Sequence, residues 1–182
     1  MTDRLREESR ENHTVAQFDI AETEEAIRAI RANMHELEVI RDGSDKAPFV
    51  PTALPAGFLY APSDTAWIMM RDSALLPVVP NSLVQNYWKI EAILAALDRR
   101  KWEAERSRYN LDALLHIADK PAVLSPQRRE SLQIAFSEHN EILSRYRATL
   151  VAFDVQNDMA LSNKVITIKT SRDAMAHSGL EN

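Results

Sequence analysis

Two of the three glycines and four of the eight prolines in this 182-residue chain fall between positions 43 and 62, GSDKAPFVPTALPAGFLYAP. Prolines at 48, 51, 55 and 62 forbid a continuous helix or a central strand there. So few glycines also disfavour a β-rich fold, which needs many tight turns. The stretch is too apolar for a flexible spacer, since Phe49, Leu54, Phe58, Leu59 and Tyr60 give it surface to bury. It reads as an ordered, extended connector between two helical regions.

The region before it, Thr2 to Asp42, repeats Ile20, Ile27 and Met34 at seven-residue spacing, and likewise Thr23, Ile30 and Leu37. That is the heptad stripe of an amphipathic helix, with Gly43 as its stop. Residues 1–42 carry eleven Asp or Glu against six Lys or Arg, so the exposed face is acidic. Residues 1–12 are polar enough to fray.

After the connector, Ser63 as N-cap and Asp64 in the first turn predict a short helix over 64–74. Ser82 with Gln85 makes a capping-box pattern that opens a long helix, ended by Pro121 near Asp119. Leu83, Tyr87, Ile90, Leu94, Leu97, Ala104, Leu111 and Leu115 give it an apolar face. Its middle, DRRKWEAERSRYN, is polar on nearly every side and reads as projecting past its partners or kinked. Ser125 and Pro126 start the last helix, with Leu132, His139, Tyr146, Phe153 and Ala160 in one seven-residue series. The run VITI in the tail reads either as a short strand or as a poor continuation of that helix.

The expectation is all-α: an elongated helical bundle built on a long antiparallel hairpin, with one short helix and the Pro-rich connector packed across it. Residues 1–164 form one domain and 165–182 a tail. The apolar stretch DTAWIMMRDSALLPVVP is too short and too interrupted to span a bilayer. It is expected to plug one end of the bundle with Trp67, Met70, Leu75 and Leu76.

A net charge of −5 argues against DNA or broad nucleic-acid binding. Zero cysteines removes disulfides, thiolate zinc sites and cysteine nucleophiles. With no signal-peptide core and no apolar run of membrane-spanning length, the chain reads as soluble and cytoplasmic. A chain trimmed of a membrane anchor would read the same way.

Three glycines cannot build a phosphate-binding loop, Glu-x-x-His pairs are absent, and Gly-x-Ser-x-Gly is missing. Asp112 and His116 share a helix face, yet no second pair of ligands accompanies them. His35 sits among acids that point in different directions. His139 lies on an apolar stripe and reads as a core histidine. Glu22, Glu24 and Glu25 read as a solvated face. No cofactor and no metal is expected. The stripe of Trp88, Trp102 and Tyr109 reads as buried core or as a dimer contact rather than a ligand platform. Trp102 and Tyr109, seven apart in the polar middle, are the candidates for an exposed contact strip with a second copy or another helical protein.

Near the C-terminus SRDAMAHSG places Arg172 and His177 with four residues between them. This resembles the Arg-x4-His signature of HEPN ribonuclease domains, although Asp173 stands where that family commonly has Asn. The resemblance implies a metal-independent ribonuclease in which Arg172 binds phosphate, His177 moves a proton and RNA is the partner. A second resemblance runs over about residues 10–160. The charged helix, Pro-rich connector, DTAWIMMRDSALLPVVP and Tyr-containing long helix are similar to uncharacterised bacterial helical-hairpin domains preceded by a transmembrane anchor. No activity comes with it. The reading as a whole is a non-enzymatic interaction or assembly module that self-associates, with the HEPN-like ribonuclease as its alternative.

Overall fold

The computed structural model describes residues 2–43, 47–55, 62–73, 76–116 and 123–162. The described residues form an all-α bundle of three long helices and one short one. These are α1 (Thr2–Gly43), α2 (Thr65–Arg71), α3 (Asn81–Leu115) and α4 (Pro126–Ser162), with a single 3-10 turn at Leu76–Val78 before α3. α4 packs along both α1 and α3. The start of α3 meets the start of α1 through Tyr87, whose hydroxyl donates to the Leu5 carbonyl at 3.0 Å. The end of α4 returns to that same level, where Asn157 donates to the carbonyl of Ser9. α1 and α3 therefore run in one direction and α4 in the other. α3 and α4 form the antiparallel hairpin that the two predicted long helices imply.

One spacing rule explains which faces meet. Along α1 one series of buried positions, Leu5, Ser9, Asn12, Ala16, Asp19, Thr23, Ala26, Ile30, Asn33, Leu37 and Ile40, alternates steps of four and three residues, with Glu8, Ile27 and Ala29 buried beside it. This spacing keeps one seam of a helix facing its neighbour along its whole length. Positions Thr23, Ile30 and Leu37 are on the seam as expected. Five polar residues share it, and these interrupt the apolar pattern on which a sequence reading relies. The polar opening of α1 is helical from Thr2, with Leu5 and Ser9 each only 1% exposed.

The described part of the connector, residues 47–55, packs against α1 and α3. Two seam asparagines clasp its backbone in the same way, each donating its amide to a carbonyl and accepting from the adjoining N–H. Asn33 does so with Thr52 at 2.9 and 2.6 Å. Asn12 does so with Ser63 at 2.7 and 2.8 Å. A primary amide presents donor and acceptor side by side, so it satisfies an extended segment as a neighbouring strand would. The two asparagines are three heptads apart, about 32 Å along α1. From the other side Arg108 of α3 donates to the Pro55 carbonyl at 2.8 Å. Phe49 is fully buried beneath, as the apolar content of the segment predicts.

Three boundaries differ from expectation. α2 is shorter than 64–74, and its N-cap position is Asp64, whose side chain makes no capping bond. Ser63 instead sits one residue out, accepting from the Thr65 amide at 3.2 Å. The expected Ser82 capping box does not form. α3 starts at Asn81 behind Pro80, whose extended backbone sets the turn. Within the described residues α3 runs to Leu115, while the expected end near Asp119 lies outside them. Its polar middle neither projects nor stands apart. Ala104 and Leu111 are fully buried, and Arg108 is spent on the connector. Ser125 and Pro126 do start α4, with the Arg128 amide donating to Ser125 Oγ at 3.3 Å.

Candidate functional site

The chemistry-bearing side chains gather at the end of the bundle where α2 docks. Trp67 of α2 is fully buried and stacks on Tyr87, with ring centroids 5.3 Å apart and planes at 16°. It meets Trp88 edge-on at 5.6 Å. Its indole N–H donates to Glu91 at 2.9 Å, and Glu91 also pairs with Arg71. Met70 is buried and Leu76 is packed against the same cluster, so the plug reading holds for them; Leu75 lies outside the described residues.

The plug is held from α1. Glu8 accepts from the Ala66 amide at 2.7 Å and from Ser63 Oγ at 3.3 Å. A carboxylate from another helix thus caps α2 in place of a local serine. Desolvation raises the pKa of Glu8 against the lowering effect of these donors. Tyr87 gives its proton to Leu5, leaving its oxygen to accept from Ser9 at 2.8 Å. Gln156 donates to Asn86 at 3.2 Å. A groove of about 510 Å³ lies beside Glu8, lined by Arg4, Glu7, Glu11, Thr65 and Met69. The one buried acid on its wall is already committed to α2.

Asp19 is the most perturbed carboxylate. It has no exposed surface, Tyr146 donates to its Oδ2 across 3.4 Å, and burial pushes its pKa up to about 6. Tyr146 is raised in turn, first by its own burial and then by Asp19. Such a shift is what a general acid needs. A carboxyl sealed beneath packed helices cannot meet a substrate, however, so its chemistry stays structural. His139 is likewise buried. Its Nδ1 lies 3.1 Å from Ser107 Oγ, and burial, with the Arg108 charge, holds its pKa down at about 4. Asp112 pairs with Arg108 at 2.8 Å. His35 is exposed. Among the described residues no three His, Asp or Glu side chains converge as metal ligands would.

The solvent side of α3 is different in kind. Trp88, Ala92, Ala95, Arg99, Trp102, Arg106, Tyr109 and Ala113 are all exposed and repeat the alternation of four and three residues. It is a second seam on the opposite side from the one that binds α4. Trp88 is 48% exposed, Trp102 59% and Tyr109 76%, which is uncommon for such large side chains. Arg106 lies over the Trp102 ring at 5.4 Å. Between this seam and α4 runs a shallow groove of about 340 Å³, bordered by Trp102, Arg106, Ala135 and Ile142. Trp102 and Tyr109 both lie on this exposed face, so neither belongs to the core. Ala92, Ala95, Arg99 and Arg106 complete the face, although alanine and arginine carry no apolar signal in a sequence scan.

Arg172 and His177 lie outside the described residues. No helix of the described residues is long and apolar enough to cross a membrane. Compared with family models, curated proteins and solved structures, the chain matches none.

Proposed function

We propose that the chain is a non-enzymatic helical assembly module that associates with a second copy of itself through the outer face of α3. The observation that carries this reading is the second seam, which keeps heptad spacing over most of α3 and leaves Trp102 and Tyr109 more than half exposed. A helix face with that spacing is built to receive another helix. Among the described residues the perturbed or buried titratable groups are taken up by the fold. Glu8, Asp19 and His139 are each engaged in holding the bundle together. The strip carries three exposed aromatics, Trp88, Trp102 and Tyr109, together with Arg99 and Arg106, and these are residue types enriched where proteins meet.

Sedimentation equilibrium tests it. The seam is one helix wide, at the small end of specific interfaces, so dissociation in the micromolar range is expected, with dimer dominant at about 100 µM. Trp102→Glu together with Tyr109→Glu should give a monomer whose unfolding midpoint is unchanged within about 0.5 kcal/mol, because both side chains are exposed. A wild-type chain that stays monomeric at that concentration removes the proposal.

A further inference from the structure

We infer that the two copies pair antiparallel along α3, about a two-fold axis passing between Arg99 and Trp102, an arrangement that rests on the self-association proposed above. The strip is lopsided. Its first half offers small side chains at Ala92 and Ala95, and its second half offers Trp102 and Tyr109. A parallel pair would stack Trp102 on Trp102 and Arg99 on Arg99, placing bulk on bulk and charge on like charge. An antiparallel pair lays Tyr109 on the partner's Ala92, Trp88 on the partner's Ala113 and Trp102 under the partner's Arg99. Every large ring then faces a small residue or a guanidinium that can stack on it.

The charges agree with the same register. Four acids flank the strip at seven-residue intervals: Glu91, Asp98, Glu105 and Asp112. The two outer ones are occupied within the chain, Glu91 by Arg71 and Trp67 and Asp112 by Arg108. Among the described residues Asp98 and Glu105 take part in no hydrogen bond or ion pair, and neither does Arg99. Turned end for end, α3 brings Arg106 to the partner's Asp98 and Arg99 to the partner's Glu105. Two cations and two uncommitted acids per copy are matched, with none left over.

The chain has no cysteine of its own, so single cysteines report the geometry directly. Arg99→Cys and Ala113→Cys are each treated with a short bismaleimide at a concentration where sedimentation shows dimer. In the antiparallel pair Arg99 sits about 5 Å along the axis from its counterpart and Ala113 about 37 Å from its own. Cross-linking of the first variant alone is the expected result. Cross-linking of Ala113→Cys, or of neither variant in a chain that still sediments as a dimer, overturns the antiparallel register while leaving self-association standing. A monomeric wild type overturns both. A charge swap checks the pairing independently. Asp98→Arg should weaken association about tenfold, and adding Arg106→Asp should restore it. Failure of the double variant to recover removes the assigned pairing.

Discussion

The two ends of the bundle use the same three helices and the same four-three spacing, and they are filled with different material. At the far end Ile30, Leu37, Phe49, Leu111, Leu132, Phe136 and Leu143 make a mainly apolar core, with Asn33, Arg129 and His139 as its buried polar members. At the α2 end Glu8, Ser9, Asn12, Asp19, Asn86, Gln156 and Asn157 are all buried, with Trp67 and Tyr87 among them. Apolar packing tolerates many registers of similar energy. Buried polar groups tolerate few, because each unmade hydrogen bond costs about 1–3 kcal/mol. The far end therefore supplies cohesion. The near end dictates where α2 docks and where the chain returns from the connector, and it does so at some cost, since Asp19 Oδ1 has no hydrogen-bond partner among the described residues.

The sharpest way to break this contrast is at the plug. Trp67→Ala should cost about 3–5 kcal/mol in urea unfolding, as much as an apolar core aromatic. A loss under 1 kcal/mol would mean α2 merely rests on the polar end. Trp67→Phe, which keeps a ring and loses the bond to Glu91, should cost about 1–2 kcal/mol through the acceptor left behind.

Acid should act on the two ends in opposite senses. Asp19, raised in the fold to about 6 from 3.8, binds its proton more tightly folded than unfolded. Its contribution is fully present below about pH 4 and is lost as pH rises through 6. Asp19→Asn should therefore stabilise the protein at pH 7, by up to about 3 kcal/mol, with the gain vanishing by pH 4. His139, lowered to about 4 from 6.5, resists its proton when folded, so stability drains away as pH falls from 6.5 towards 4. His139→Gln should remove up to about 3 kcal/mol of that acid loss. In the wild type the two slopes nearly cancel between pH 4 and 6. Each single variant should expose the other's slope, and the double variant should lose both, keeping the slope of remaining groups such as Glu8. Matching profiles for the two single variants would contradict the assignment.

The smallest expected effect is at the cap. Glu8→Gln keeps the size and loses the charge, and should cost about 0.5–1 kcal/mol. Hydrogen exchange should place the loss in α2, with the far-end amides unchanged. Uniform loosening of the whole bundle would mean that the near end is not a separate unit.

Much of the frame was legible without coordinates. The long helices follow from periodicity and from Ser125-Pro126, and the burial of Phe49 follows from prolines interleaved with large apolar residues. Burial of Trp67 and Met70 follows from a sticky stretch too short to do anything else. Half of the seam was not legible. Asn12, Asn33 and Asp19 sit at heptad positions but look like surface residues until something is placed opposite them. The capping serines illustrate the same limit, because Ser63 and Ser82 have the right neighbours and the wrong geometry.

The sequence by itself determined which segments are helical, because spacing, breakers and helix starts act within a few residues of chain. Only the tertiary structure decided what the polar groups do. An asparagine clasping a backbone, a glutamate capping a helix more than fifty residues away and a tryptophan left facing solvent are all settled by partners distant in sequence. The outer face of α3 belongs to the second kind. Its alanines and arginines became a seam only once α4 had covered the opposite side.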